Sequence, residues 1–455
     1  MKKSEENKNN FQVVNPHAGG IDVGSMEHYV AILTEEQKSE VKCFSTFTPD
    51  LEALAEYLVR NKVDTVAMES TGNYWIPLYT VLERHGIKVC LTNARTLKNV
   101  SGRKTDVSDC QWIQKLHTFG LLGASFIPDE ATRELREFVR QRETIEKEKS
   151  RDMQLIGKAL GLMNIKLQHV VSDLEGVSAM LIIRDIAGGV TDAKSLVNHR
   201  DKKMKASIEE LELSLTGNYS YSHVFMLRQY LTNYDLHKRQ LLECDKEIED
   251  LLKAQSAQLE QSQGVESLNK LEEKIHKARK NEYTVDVKKY LRQIYGVDLT
   301  AVEGLKEKTL LTILSEVGSD LHSWRTEKHW TSWLRLCPNP EISGGKVLGH
   351  KNMKTDNRVS KAFRLGAQSL HHSNSPLGVF YRRISSKYGG PTAIKATARK
   401  LAIIFYKMVK NGTEYVKQNV EEYTAKCKEQ FIKTMEKKAK KFGLELKPIE
   451  GIALS

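Results

Sequence analysis

An α/β N-terminal domain, a helical middle region and a mainly helical C-terminal domain are the architecture that this sequence predicts. The first observation is a series of short β-rich runs that alternate with amphipathic helical segments between residues 19 and 119. The second is a pair of long, highly charged helical patterns in the middle of the chain. The third is the return, after residue 285, of helical segments separated by glycine-containing turns. A chain of 455 residues can form two or three domains with their own cores.

The N-terminal pattern gives a definite order of elements. Three strands, a helix, a strand, a helix, a strand and further helices follow one another. This is the order of the ribonuclease-H-like (RuvC-like) α/β fold, in which the first and fourth strands lie side by side and a late helix packs against them. The predicted strands are 21–23, 28–33, 41–47, 63–68 and 87–91, and the predicted helices are 50–61, 74–85, 94–100 and 107–119.

Four acidic residues fall on this predicted framework. Asp22 and Glu69 each lie at the end of a short apolar run, and Asp106 and Asp109 are three residues apart, on one face of a helix. Carboxylates in apolar surroundings need a partner or a metal ion. We therefore predict that the four acids bind a pair of Mg²⁺ ions and promote cleavage of phosphodiesters. The alternative is a set of solvated or salt-bridged carboxylates.

Composition restricts the partners and the compartment. The formal net charge of +12 favours a polyanionic partner such as nucleic acid, although any merely basic protein would show this balance. The six cysteines include no C-x-x-C pair, which argues against a zinc ribbon and suits a reducing cytosol. The N-terminus does not have the pattern of a signal peptide, and no apolar run is long enough to span a membrane. We expect a cytoplasmic, nucleoid-associated protein without a membrane partner.

Long charged helices characterise the middle of the chain. They indicate an antiparallel coiled-coil arm of the kind that mediates dimerisation. Residues 166–224 form a mixed insertion to which the sequence assigns no role. The imperfect apolar stripe of the first charged helix contains Leu135, Phe138, Arg142, Ile145, Lys149 and Met153. The predicted division is a disordered tail at 1–16, a RuvC-like catalytic domain at 17–128, a coiled-coil and helical region at 129–289, a serine-bearing domain at 290–415 and a basic tail at 416–455.

A second site of chemical interest is Ser343-Gly344-Gly345 in a loop of the C-terminal half. A serine beside two glycines is sterically open, and an oriented hydroxyl can attack phosphorus. From these three residues alone, a phosphate-contacting or plain turn serine is the favoured interpretation. The basic residues that follow are predicted to bind nucleic-acid phosphates. They are Lys346, Lys351, Lys354, Arg358, Lys361 and Arg364.

The motifs, taken as an ordered group, resemble a known family. Gly-Ile-Asp-Val-Gly at 20–24, Met-Glu-Ser-Thr-Gly-Asn-Tyr-Trp at 68–75 and Lys-Thr-Asp-Val-Ser-Asp at 104–109 resemble the DEDD (RuvC-like) insertion-sequence transposases, which are kin to the Piv-type DNA invertases. The resemblance covers roughly half of the chain and leaves out the insertion. In the C-terminal half the resembling segments are 336–345, 375–381 and 398–401.

This resemblance implies a specific chemistry. Asp22, Glu69, Asp106 and Asp109 match the metal-binding acids of the family, and Ser343 matches its nucleophilic serine, which forms a phosphoserine link to DNA. Members of the family recombine donor and target DNA under the guidance of a bridge RNA and work as dimers that pair into tetramers. The serine of one subunit would then complete the acidic site of another. A departure is the hairpin at Gly304, which lacks the usual second glycine.

Two other functions are compatible with the residues. A structure-selective endonuclease that resembles a Holliday-junction resolvase would use water instead of Ser343 as the nucleophile. A non-enzymatic nucleic-acid-binding scaffold would carry vestigial acids. The sequence leaves open the donor and target sequences, the guide RNA, the choice between insertion and inversion, and the oligomeric state.

Overall fold

The computed structural model divides the chain into two compact units, Met1–Ile127 and Pro128–Ser455, here called the N-terminal unit and the C-terminal unit. The boundary lies one residue from the division at 128 that the sequence predicts. The structure describes residues 12–93 except 35 and 37, residues 106–263, residue 280, residues 282–350 except 339, residues 357–412, and scattered positions between 425 and 445.

In the described part of the N-terminal unit, a five-stranded mixed sheet packs with three helices. The strands are ordered β3-β2-β1-β4-β5, and β1 runs antiparallel to β2 and parallel to β4. The prediction that the first and fourth strands are neighbours is therefore confirmed. The elements are β1 (Ala18–Val23), β2 (Glu27–Leu33), β3 (Ser39–Ser45), α1 (Thr48–Arg60), β4 (Thr65–Glu69), α2 (Trp75–Arg84), β5 (Lys88–Thr92) and α3 (Asp106–Thr118).

The two faces of this sheet are covered differently, as the alternation of side chains along a strand requires. Ile21 of β1 and Met68 of β4 belong to one apolar core with Leu54 of α1 and Leu82 of α2. Helix α3 packs against the sheet, chiefly on β1. The predicted helix at 94–100, which precedes α3, lies outside the described residues.

The start of the described chain is attached to α3. The backbone N–H of Val14 donates to the carbonyl of Thr118 at 2.9 Å, and the side-chain amide of Asn15 donates to the carbonyl of His117 at 2.7 Å. These residues belong to the segment 1–16 that the sequence analysis assigned to a disordered tail. At positions 14 and 15 that assignment is wrong, because their polar groups have partners on α3. Residues 1–11 lie outside the description.

Two long antiparallel helices, α4 (Glu130–Leu162) and α9 (Tyr221–Gln263), pack side by side in the C-terminal unit. Arg142 of α4 pairs with Asp245 of α9, whereas Asp152, farther along α4, pairs with His237, which comes earlier on α9. The partner of the later residue on α4 comes earlier on α9, so the two helices run antiparallel, as predicted. The coiled-coil assignment itself stays a prediction, and residues 264–279 lie outside the described part.

The buried face of α4 contains charged residues, and each of them has a charged or imidazole partner. Arg142, Lys149 and Asp152 are all buried. Lys149 lies 3.4 Å from the carboxylate of Glu175, and Asp152 lies 2.6 Å from the imidazole of His237. A buried charge is tolerated when it is paired in this way.

The predicted insertion forms a small helical subdomain. Its helices are α5 (Leu167–Val170), α6 (Val177–Gly188), α7 (Ala193–Val197) and α8 (Ile208–Leu215). Ile183 of α6 and Leu211 of α8 share a core with Leu160 of α4 and Leu227 of α9. The insertion is therefore packed onto one end of the two long helices.

The remainder of the C-terminal unit is mainly helical and surrounds Trp330, which is fully buried. The indole N–H of Trp330 donates to the carbonyl of Ala402 at 3.1 Å. The elements are α10 (Val287–Tyr295), a 3₁₀ turn (Leu299–Ala301), α11 (Glu307–Val317), α12 (Glu327–Trp333), β6 (Pro340–Ser343), β7 (Lys346–His350), α13 (Arg358–Ser369), α14 (Pro376–Tyr388) and α15 (Gly390–Asn411). Within the described part of the chain, no helix combines the length and apolarity needed to cross a membrane.

Candidate active site

Asp22 and Glu69 lie at the ends of the two central parallel strands. The register of β1 and β4 pairs Gly20 with Ala67 and Ile21 with Met68, so Asp22 and Glu69 occupy the next position on each strand. Partnered residues of neighbouring strands point to the same face, and Gly20 and Asp22 share a face because they are two residues apart. The fold thus brings the two carboxylates to one face of the sheet at its centre.

A close approach between Gly20 and α3 places the third acid on this face. A Cβ atom at Gly20 would lie 2.2 Å from the backbone nitrogen of Gln114 and 2.4 Å from the carbonyl oxygen of Cys110. The helix backbone therefore rests directly on β1 at the position two residues before Asp22. Only glycine permits this contact, because any side chain would occupy the space of the helix.

The pKa of the Cys110 thiol reflects charges on both the strand β1 and the helix α3. Burial raises the pKa of Cys110 to about 11, and the nearby carboxylates of Asp22 and Asp109 contribute in the same direction. Asp22 on β1 and Asp109 on α3 therefore both act on one buried group. The side chains of Asp22 and Asp109 are themselves half-buried.

Glu69 is held by its local chain. The hydroxyl of Thr71 donates to Oε1 of Glu69 at 3.0 Å, and the backbone N–H of Ser70 donates to the carbonyl of Thr92 on β5 at 3.0 Å. Glu69 is half-buried at the point where β4 ends. These contacts limit the rotamers of the carboxylate at the edge of the face that α3 covers.

One buried histidine, His117, lies on this side of the sheet. Burial lowers the pKa of His117 on α3, and its Nε2 lies 2.9 Å from the hydroxyl of Thr65 on β4. Burial also lowers the pKa of His28 on β2, but His28 pairs with Val23 and therefore points to the opposite, apolar face. The carboxylates therefore receive no full positive charge from His117 at neutral pH.

The fourth acid, Asp106, is the first residue of α3, one turn before Asp109. Its side chain lies outside the described part of the structure. Among the side chains that are described, no group of three or more His, Cys, Asp or Glu is close enough to share a metal ion. The fold therefore gathers Asp22, Glu69 and Asp109 onto one face but does not draw them into a closed cluster.

Ser343 lies in a β-hairpin, not in the loop that the sequence predicted. Strands β6 and β7 are antiparallel, Ser343 pairs with Lys346, and Gly344 and Gly345 form the two-residue turn. Their φ angles of 55° and 75° are both left-handed, as such a turn requires. Ser343 is exposed, as is Lys346. The hydroxyl is thus presented beside a tight turn and a lysine.

The predicted phosphate-binding residues differ in their surroundings. Arg358 on α13 donates to Glu143 on α4 at 2.7 Å and lies 3.8 Å from Glu316, so its charge is compensated within the protein. Lys361 is exposed, and Nε of Arg364 is buried without a hydrogen-bond acceptor. Lys351 and Lys354 lie outside the described residues.

The sequence analysis did not single out the role of Gly20. Its signal was the pair Gly19-Gly20 inside an otherwise apolar strand, since an interior glycine often marks a close backbone approach. Gly304 gives a related result. A Cβ at Gly304 would lie 2.9 Å from the carbonyl oxygen of Gly366, so this glycine allows a close contact with α13.

Comparison with known protein families decides the identity of the chain. A transposase family model for the DEDD domain of IS110 elements matches residues 19–165, and a model for transposases of the IS116/IS110/IS902 family matches residues 298–382. The two matches together cover just over half of the chain. The chain belongs to the IS110 family of DEDD transposases. No curated protein matched it.

Membership of the IS110 family establishes the activity in outline. The protein is a DNA transposase or recombinase, and DNA is its substrate. DEDD transposase domains typically use divalent metal ions. The first match contains all four predicted acids, and the second contains Ser343. Neither match covers 166–297, which holds the helical insertion and α9.

Proposed function

We propose that this transposase cuts and rejoins DNA strands with a metal site formed by Asp22, Glu69, Asp106 and Asp109 and with Ser343 as the nucleophile. The observation that carries the proposal is the position of Asp22 and Glu69 at adjacent ends of β1 and β4, with Asp109 on the helix that covers them. The strand order supports a ribonuclease-H-like (RuvC-like) N-terminal domain.

The residues fit a hard divalent cation. All four are carboxylates, and carboxylate oxygens are the ligands that Mg²⁺ prefers. A bound pair of Mg²⁺ ions would supply positive charge that offsets the charge of the scissile phosphate. The protein holds the acids in place through the strand pairing, the Gly20 contact and the Thr71 hydrogen bond.

The proposed chemical step begins at the exposed hydroxyl of Ser343. Its oxygen attacks a DNA phosphorus, a Ser343–phosphorus bond forms, and the bond from phosphorus to one deoxyribose oxygen breaks. The serine proton passes to solvent, and the departing oxygen takes up a proton to become a free hydroxyl. Attack of a DNA hydroxyl on the phosphoserine link then reverses the exchange and joins new strands.

The partners follow from the family resemblance. We propose that a bridge RNA guides the choice of donor and target DNA and that the protein acts as a dimer that pairs into a tetramer. The long helices α4 and α9 support this view, because an antiparallel helical arm of this length offers a large surface for a second subunit. Lys346 and the other basic residues of the C-terminal unit would contact phosphates.

The serine step is tested with Ser343→Ala and the matched control Ser332→Ala, which removes an exposed hydroxyl on α12. The substrate is DNA from the segments that flank the reading frame, supplied with RNA transcribed from the same flank. We expect wild type and Ser332→Ala to form a protein–DNA adduct that survives denaturing gel electrophoresis. Ser343→Ala should form none. Cleavage without an adduct in Ser343→Ala would instead indicate water as the nucleophile, as in a junction resolvase.

The acids are tested with Glu69→Gln and the control Glu56→Gln, which changes an exposed acid on α1. Replacement of a metal ligand should lower strand cleavage by about 100-fold or more, since even the outer partners of ligands contribute roughly 10- to 100-fold. Glu56→Gln should retain wild-type rates. Full recombination by Glu69→Gln would contradict the metal site and favour a binding scaffold with vestigial acids.

A further inference from the structure

A groove of about 970 Å³ lies within the C-terminal unit, between the middle of α4 and the N-terminal ends of α11 and α13. Among the described residues that line it, Ser343, Asp22, Glu69 and Asp109 do not occur. Two acidic residues, Glu143 and Glu146, line the side formed by α4. Seven basic residues line the groove: Lys147, Arg151, Lys306, Lys308, Arg358, Lys361 and Arg364.

The two acids of the groove are already neutralised. Lys308 donates to both oxygens of Glu146 at 2.8 and 2.6 Å, and Arg358 donates to Glu143 at 2.7 Å. These pairs consume two of the seven basic residues and leave no uncompensated carboxylate on the lining. The groove therefore keeps a net positive charge.

Arg151 lies 3.8 Å from Glu148, so four of the seven cations remain available to a ligand. Within the described part of the chain, Lys147, Lys306, Lys361 and Arg364 form no ion pair with a carboxylate. The three lysines are exposed, and they come from three different helices or helix ends. Cations that converge from separate elements on one groove match a ligand that carries several negative charges.

The backbone adds donors at the same place. Helix α11 has no side-chain cap at Lys306, and the start of the helix, with Lys306, Lys308 and Thr309, lines the groove. The N–H groups of a first helical turn have no intrahelical acceptor. The neighbouring helix α13 is capped by Asn357, whose side chain accepts from the N–H of Ser360. An uncapped helix N-terminus favours a phosphate.

Arg364 gives an independent indication of a missing acceptor. Its Nε is buried and makes no hydrogen bond, although a buried donor normally has a partner. The residue lines the groove beside Lys361 on α13. A phosphate oxygen in the groove would supply the acceptor that the protein lacks.

We propose that this groove binds the phosphodiester backbone of a nucleic acid, with Lys147, Lys306, Lys361 and Arg364 as the contacting cations. The inference rests on the proposed function, because it names a surface by which the transposase holds its nucleic acid. Lys361 and Arg364 were expected from the sequence, whereas Lys147 and Lys306 are identified only by the fold. The contact is with the backbone, so it is independent of base sequence.

The test compares two triple variants of the full chain. The groove variant is Lys147→Gln/Lys306→Gln/Lys361→Gln. The control is Lys246→Gln/Lys289→Gln/Lys407→Gln, which removes the same charge from exposed lysines outside the groove. Binding to a labelled DNA duplex and to an RNA hairpin of equal length is measured by fluorescence anisotropy over a range of salt concentrations. EDTA is present throughout, so the result is independent of strand cleavage, Ser343 and the acids.

We expect the groove variant to bind about tenfold or more weakly and to lose about 2 to 3 from its log–log salt slope, because each phosphate contact contributes about 0.9. The control should change much less. Weakening for the duplex alone, the RNA alone or both supports the proposal and identifies the strand that occupies the groove. Equal weakening in both variants, or none, overturns it.

A second measurement does not depend on how the variants fold. The wild-type protein is acetylated with and without nucleic acid, and each lysine is quantified by mass spectrometry. Protection of Lys147, Lys306 and Lys361 by either nucleic acid supports the proposal. Acetylation of these three at an unchanged rate in the complex contradicts it.

Discussion

At the scale of single residues, the candidate metal site depends on Gly20, a residue without a side chain. Gly20 lets the backbone of α3 rest on β1, and this contact brings Asp109 toward the face that carries Asp22 and Glu69. In the proposed function the acids supply the chemistry, but the glycine sets the distance between strand and helix. The glycines at 344 and 345 act similarly, since their left-handed φ angles allow the turn that presents Ser343.

Gly20→Ala tests this view of the strand–helix contact. The new methyl group would overlap the backbone of Cys110 and Gln114, so we expect a loss of about 2–3 kcal/mol in the free energy of unfolding. Strand cleavage should fall as well, because α3 must move away from β1. Urea denaturation measures the first effect, and a cleavage assay measures the second.

Gly123→Ala is the control for this prediction. No atom lies within 4 Å of a Cβ at Gly123, which is exposed and has no left-handed φ. It should keep wild-type stability and cleavage. If Gly20→Ala behaved like the control, the close packing of α3 on β1 would be refuted.

At the scale of elements, buried ion pairs hold the long helices together. Arg142 of α4 pairs with Asp245 of α9, and both side chains are buried. Asp245 also accepts from the N–H and the hydroxyl of Thr284 at 2.9 Å, while the guanidinium of Arg142 stacks on the ring of Tyr283 at 3.9 Å. One buried pair thus joins α4, α9 and the segment before α10.

Asp245→Asn should destabilise the C-terminal unit strongly. It removes the closer counter-charge of the buried guanidinium of Arg142 and leaves only Glu146, at 3.7 Å, which costs about 3–5 kcal/mol. Asp250→Asn, a change on the exposed side of α9, should cost less than about 1 kcal/mol. Denaturation monitored by circular dichroism measures both variants.

A double variant separates the loss of the pair from the burial of a lone charge. Arg142→Met/Asp245→Leu removes both charges and should recover much of the lost stability. If the double variant were as unstable as Asp245→Asn, the hydrogen bonds to Thr284 would outweigh the ion pair.

At the scale of the whole molecule, the candidate metal ligands and the cation-lined groove belong to different units. The chain carries a net charge of +12, and a set of its uncompensated cations lines the groove of the C-terminal unit. The four acids of the candidate metal site are all in the N-terminal unit. Nucleic-acid binding and strand cleavage should therefore respond differently to removal of metal.

Chelation of divalent cations should abolish strand cleavage and leave affinity for nucleic acid largely intact. The reason is that the cleavage step needs positive charge at the acids, whereas binding draws on lysines and arginines. Cleavage and anisotropy measured on one preparation, before and after EDTA and again after Mg²⁺ is restored, test this. Cleavage that persists in EDTA would argue against a metal-dependent reaction.

Several features could be predicted from the sequence because they follow from local patterns. Short apolar and β-rich runs predicted β1, β2 and β4, and the order of strands and helices predicted that β1 lies beside β4. Motif spacing selected Asp22, Glu69, Asp106 and Asp109. The burial of Lys149 and Asp152 on α4 was harder to predict from the sequence, because their partners, Glu175 and His237, are far away in the chain.

The sequence by itself determined the class of the N-terminal fold and the family and selected the candidate acids, because periodicity and motif spacing are properties of neighbouring residues. Only the tertiary structure decided that Gly20 lies under α3, that Ser343 lies in a hairpin and that Lys147 and Lys306 join Lys361 in one groove. Each of these depends on contacts between residues far apart in the chain. Such contacts are selected by the packing of whole elements and leave little trace in any local stretch of sequence.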